Sequence, residues 1–134
     1  IAVELGIVQI GQDAYMQDPF SGVWREAESL PFSFHAINEA VADALVAATG
    51  VRLVEEPSDG FVLEAALPSD ALRALVPNAA EGLSLTVRVW VSQGDFLVSR
   101  IRLSGPILAG EGQDMVRVVE FSKYDEPVNI ERPL

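Results

Sequence analysis

Cysteine is absent from the 134 residues. That excludes disulfides, thiolate catalysis and cysteine-ligated metals. Histidine occurs once, at His35. A metal site would therefore rest on carboxylates, and no stretch has the D-x-[DN]-x-[DN]-G spacing of a calcium loop. No apolar run reaches the length of a membrane-crossing helix. The glycines Gly105, Gly110 and Gly112 are followed by no helix that could present amides to a phosphate. A G-x-S-x-G nucleophile elbow is missing too. Nothing calls for a cofactor, and no catalytic residue stands out.

Basic residues are also scarce: 9 Lys and Arg against 20 Asp and Glu, a formal charge of −11. Such a surface repels nucleic acid and disfavours simple electrostatic docking on anionic headgroups. Yet 49% of the residues are hydrophobic and mean hydropathy is +0.25. An acidic exterior thus surrounds an interior, or a cavity wall, that is rich in apolar side chains. At this length one domain with a real core is expected.

The C-terminal third carries the clearest pattern. Leu83, Leu85, Val87, Val89 and Val91 alternate with Ser84, Thr86, Arg88 and Trp90. Successive strand side chains point to opposite faces, so this is one apolar wall and one polar wall. Ser92-Gln93-Gly94-Asp95 turns the chain into Phe96 to Leu103. After the Gly110-Glu111-Gly112 loop, Gln113 to Lys123 makes a third pass. Upstream, Ala2 to Ile10, Ala14 to Gln17 and Val23 to Arg25 read as short strands, with Asp18-Pro19-Phe20-Ser21-Gly22 as a turn. Ile1 already lies in a strand-like pattern. It reads as a processing or cloning boundary, with any targeting segment upstream.

A long helix is expected over Ser33 to Thr49, capped by Ser33 and closed by Gly50. Phe34, Ile37, Val41, Leu45 and Ala48 repeat at helical spacing and define its apolar face. Its many alanines allow close approach to a sheet. Val51 to Glu56 and Phe61 to Leu67 form a hairpin around Pro57-Ser58-Asp59-Gly60. A short helix follows over Ala71 to Val76, with Ser69 or Asp70 as cap and Pro77 as stop. The sum is α+β with a mostly antiparallel sheet.

Candidate chemistry is thin. His35 and Glu39 lie one helical turn apart, but no nucleophile is placed beside them. The carboxylate pairs Glu26/Glu28, Glu55/Glu56 and Asp125/Glu126 read as solvated turn residues. Arg88, Arg100, Arg102 and Arg117 fall mostly on one alternation face, as an outer ladder paired with Glu120 and others. They could also meet an acidic partner or a headgroup. Tyr15, Phe20, Trp24, Phe32 and Phe34 pack a core or rim a pocket between helix and sheet.

Three motifs in order carry a resemblance. They are Ala14-Tyr15-Met16 with Asp18-Pro19-Phe20-Ser21-Gly22-Val23-Trp24; Val87-Arg88-Val89-Trp90-Val91 with Leu97 to Pro106; and Val118 to Val128. The chain resembles the LppX/LprA/LprF/LprG-type lipoproteins of actinobacteria over most of its length. The resemblance implies a fold similar to LolA and LolB, a curved incomplete half-barrel lined by helices. It implies an exported, membrane-anchored, non-catalytic carrier of lipid or glycolipid in the cell envelope. The anchoring cysteine is not in this chain. Further strands are expected upstream, so the chain corresponds to the C-terminal two-thirds of the family domain. The edge near Ala2 to Ile10 would then invite pairing with another copy. Acyl chains would lie between helix and sheet, against Phe34, Ile37, Val41, Leu45, Leu85, Val87, Val89, Ile101 and Leu103. A self-plugged structural or protein-interaction domain of the envelope is the other reading.

Overall fold

Alternating apolar and polar residues leave the backbone little choice but extended structure, and the turn residues set where it reverses. In the computed structural model, residues 3–30, 37–122, 124, 126–127 and 129–134 are described, with Ile37 and Asn38 by backbone alone. The protein is α+β, with two antiparallel sheets, of three and five strands. It divides into two compact units, residues 1–31 with 125–134, and residues 32–124.

The smaller unit holds β1 (Ile7–Ile10), β2 (Asp13–Gln17) and β3 (Trp24–Glu26), paired in that order. Gly11 closes the first hairpin at φ 61°, a conformation that glycine adopts without penalty. Asp18 builds the second turn. Its Oδ1 accepts from the Phe20 amide at 3.1 Å, the Ser21 amide at 2.7 Å and the Ser21 hydroxyl at 2.9 Å. Tyr15 is buried, while Phe20 is 87% exposed. The aromatic residues of this segment thus do not form one cluster. Phe32 and Phe34 lie outside the described residues. Arg132 reaches Asp13 at 2.5 Å and fastens the C-terminal segment to β2.

The larger unit begins with α1 (Ile37–Ala47) and continues through β4 (Thr49–Glu55), β5 (Gly60–Pro68), β6 (Ser84–Ser92), β7 (Val98–Ser104) and β8 (Val116–Glu120). The five strands follow one another in sheet order, every pair antiparallel. β4 and β8 are its two edges, so the sheet is not a closed barrel. The hairpins fall where the turn chemistry places them. Gly60 pairs with Ser92, and a Cβ at Gly60 would lie 2.0 Å from the Val91 carbonyl oxygen. Only glycine fits that approach.

Several elements differ from the expected ones. The helix ends at Ala47, and Thr49 and Gly50 already belong to β4, so Gly50 does not close it. The first strand begins at Ile7 and not at Ala2. The segment after Pro68 is a 3-10 turn, Ser69–Leu72, continued by turns to Val76 rather than an α-helix. Ser69 is not its cap. The hydroxyl instead leaves the turn and donates to the Ala80 carbonyl at 2.6 Å. The third pass of the meander, expected over Gln113 to Lys123, is also shorter, because strand pairing with β7 starts at Val116 and stops at Glu120.

The core sits at one end of the sheet. Leu67, Leu72, Val76, Ala79, Leu85 and Ile107 are buried together, flanked by Ala44, Ala47, Ala48, Val87 and Leu103. α1 packs on the 3-10 turn and on β5. None of the described helices is long and apolar enough to cross a membrane.

Candidate functional site: the two faces of the five-stranded sheet

Direct cross-strand partners share a face, so the register sorts every side chain of the sheet. One row runs Leu53, Leu63, Val89, Ile101, Val119 across all five strands. At about 4.8 Å per strand this aliphatic row spans roughly 19 Å. Next to it, Ala65, Val87 and Leu103 lie opposite one another, and then Leu67 and Leu85. The face is covered at the Leu67–Leu85 end by Leu72, Val76, Ala79 and Ile107. Away from that end it opens: Leu53 is 49% and Val119 44% exposed, with Leu63, Val89 and Ile101 half-buried. Phe61 continues the face beyond the row and stacks on Phe96, ring centroids 6.4 Å apart. Phe96 itself is exposed and holds φ 55°, unusual for a residue with a Cβ.

The expected lining divides three ways. Val89 and Ile101 belong to the open row. Leu85 is core, and Val87 and Leu103 pack against it. On the helix, Val41 and Leu45 are 50% and 74% exposed, whereas Ala40 is 3% exposed. The helix therefore turns Ala40, Ala44 and Ala47 inward and not the larger residues. Alanine lets the helix axis come close to the 3-10 turn, and closeness at one stripe carries Val41 and Leu45 outward. Phe34 lies outside the described residues, as does His35, and the Ile37 side chain is not described. Leu53, Leu63 and Val119 join the row without belonging to the expected lining. The alternation Phe61, Leu63, Ala65, Leu67 against Leu85 to Val91 carries that signal.

A polar latch closes the covered end. The Glu111 carboxylate accepts from the Ile107 amide at 2.8 Å and the Leu108 amide at 3.1 Å, and it is paired with Arg117. Burial pushes this carboxyl up. The Ile107 and Leu108 amides and Arg117 outweigh burial and hold it below the ordinary glutamate value. Arg117 is opposite Leu103, so it stands on the aliphatic side and is not part of the arginine ladder. Parity decides this: β8 enters its register so that odd positions share the aliphatic face.

The opposite face is charged. One row runs Arg52, Glu64, Arg88, Arg102, and the next Val62, Trp90, Arg100, Glu120. Glu64 accepts from Arg52 Nη2 at 2.6 Å through one oxygen, and from Arg88 Nη2 at 2.7 Å and Nε at 3.2 Å through the other. Arg88 first, and Arg52 second, hold its carboxyl below the ordinary range. The Arg100 guanidinium lies 5.0 Å from the Trp90 ring centroid, a cation–π contact. Glu120 stands 3.9 Å from Arg100 Nε. Trp90 thus faces away from the aliphatic row, which fixes the strand register that the sequence left open.

The smaller unit has an open hollow of about 360 Å³ lined by Met16, Asp18, Arg25, Glu26, Glu28 and their neighbours. Asp18 is held below its ordinary value, first by the Ser21 amide. The bonds its carboxylate accepts, from Phe20 and Ser21, are internal to the turn, so its chemistry is that of a turn-former. Among the described residues no three His, Asp or Glu side chains gather as a metal site.

Neither a protein-family model nor a curated protein sequence matches the chain.

Proposed function

We propose that the chain is a non-catalytic, extracytoplasmic lipid- or glycolipid-binding domain of an envelope carrier, anchored upstream, whose sheet curves as an incomplete half-barrel. The observation that supports it is the row Leu53, Leu63, Val89, Ile101, Val119, aliphatic across every strand and left half-open while the rest of the same face is packed. An apolar sheet face in water is costly, and an acyl chain laid on it is stabilised by about 0.8 kcal/mol per buried methylene. Ten methylenes would supply about 8 kcal/mol, the scale of a micromolar complex. In this reading the sheet holds the chain, and the helix supplies its alanine stripe to the core.

The second reading, a self-plugged interaction domain, draws on the other end of the face. There Leu72, Val76, Ala79 and Ile107 already fill the space that a ligand would use.

Organic extraction of the purified protein with mass spectrometry of the extract, together with titration by a fluorescent polyene fatty acid, separates the two. The carrier reading expects extractable lipid and saturable fatty-acid binding. It also expects Leu53→Glu and Val119→Glu to weaken binding roughly tenfold or more, since a carboxylate would have to be desolvated against the chain. Both sites are half-exposed, so folding should tolerate the changes. No extract and no binding by a folded protein would leave the interaction domain standing.

A further inference from the structure

We infer that the charged face of the five-stranded sheet holds an anion site, built on Arg88 and Arg102 with Arg100 beside them, for a phosphate group. Three observations carry it, none of which depends on acyl-chain binding at the other face.

Arg88 and Arg102 are direct cross-strand partners on β6 and β7. Like charges in that position destabilise a strand pair. The chain has 20 acidic residues to 9 basic ones, so a carboxylate neighbour would be easy to supply. Yet Arg102 makes no ion pair or hydrogen bond among the described residues, and Glu64 is already committed to Arg52 and Arg88.

Two of the three guanidinium groups, those of Arg88 and Arg100, are held in place before any ligand arrives. Arg88 is fixed by two bonds to one Glu64 oxygen. Arg100 is laid over Trp90, and its Nε is buried without a hydrogen-bond partner, which leaves its two Nη groups as the donors open to a ligand. Its one acidic neighbour among the described residues, Glu120, is 3.9 Å away. Fixed, planar donor forks lose little entropy on engaging a tetrahedral or planar oxyanion.

The three side chains are also partly exposed. The Arg88 and Arg100 side chains are 33% and 44% exposed, and Arg102 is half-buried. On a protein of net charge −11 the cluster is a local well for anions, because Arg52, Arg88, Arg100 and Arg102 outnumber the two carboxylates among them, Glu64 and Glu120, and fields from the more distant carboxylates are screened within about 8 Å at physiological salt. Phosphate suits several neighbouring arginines better than a single carboxylate does, having more acceptor oxygens and more charge.

The test is titration of the whole protein with inorganic phosphate, followed by NMR at the arginine Nε–H signals. In parallel, the protein is sedimented with vesicles of phosphatidylcholine alone or with phosphatidylglycerol added. Saturable shifts at Arg88, Arg100 and Arg102 with phosphate, or retention by phosphatidylglycerol vesicles only, support the site. The first without the second indicates a soluble phosphate compound, and the second a headgroup. Arg102→Gln should weaken whichever binding is seen at least tenfold, and Arg73→Gln, away from this face, should not. No binding of either probe, or equal binding by Arg102→Gln, overturns the inference.

Discussion

Ser69 is fully buried, and its hydroxyl lies 2.6 Å from the Ala80 carbonyl and 3.2 Å from that of Leu83. Its own amide donates to Leu83 at 3.0 Å, and the Ala80 amide in turn donates to Ile107 at 2.8 Å. The Ser69 side chain thus ties the 3-10 turn to the loop before β6, and the Ala80 amide ties that loop to the segment after β7. Ser69→Ala would leave the partly buried Ala80 carbonyl without this donor. The expected cost is about 1–3 kcal/mol, read as a lower midpoint in urea unfolding with an unchanged slope. A slope change instead would mean that the turn had come apart rather than lost a bond. This role was not legible in the sequence. Ser after Pro at the head of a short apolar run reads as a helix cap. Nothing local announces an acceptor eleven residues on. The arginines show the same limit. Alternation placed Arg88, Arg100 and Arg102 correctly on one face, because they share two long, regular strands. Arg117 sits across a loop containing Gly105, Gly110 and Gly112, and parity cannot be carried through a loop.

At the scale of elements, the loop between β7 and β8 is organised by Glu111. The carboxylate gathers the Ile107 and Leu108 amides and Arg117, and so fixes Ile107 in the core and β8 in its place. Its folded pKa lies below the ordinary value. A carboxyl with a depressed folded pKa binds fewer protons folded than unfolded. Its stabilisation is therefore complete above the ordinary glutamate value, about 4.3, and is lost as pH falls through the lower folded value. Acid titration of stability should show this loss, and Glu111→Gln should be less stable at neutral pH with a shallower fall below pH of about 4. A Gln variant with the full acid fall would assign that fall to other carboxylates, such as Glu64 and Asp18. The hairpins themselves were legible, since Pro57 to Gly60 and Ser92 to Asp95 are strong turn segments flanked by alternation. The helix was legible in place but not in rotation. Counting large apolar residues selects Val41 and Leu45, whereas packing distance selects Ala40, Ala44 and Ala47.

At the scale of the whole molecule, the two compact units differ in what sustains them. Every member of the buried cluster, Leu67 through Ile107, belongs to residues 32–124. So do the Glu64, Glu81, Glu111 and Glu120 ion pairs, and all five strands of the aliphatic row. The smaller unit has three short strands, one buried tyrosine and the Arg132–Asp13 pair, which is exposed on both sides. Exposed pairs contribute about 0–1 kcal/mol, and a small sheet with so little buried surface is marginal alone. Residues 32–124 expressed by themselves should therefore unfold cooperatively, with dispersed amide NMR signals and a melting temperature within about 10 °C of the full chain, a shift that for a domain of this size corresponds to roughly 2 kcal/mol. They should also retain whatever fatty-acid binding the full chain has, because the open row lies wholly within them. A fragment that is unfolded would show that the 134-residue chain is one cooperative unit. A fragment that folds but loses binding would move the apolar site to the first 31 residues or the last ten.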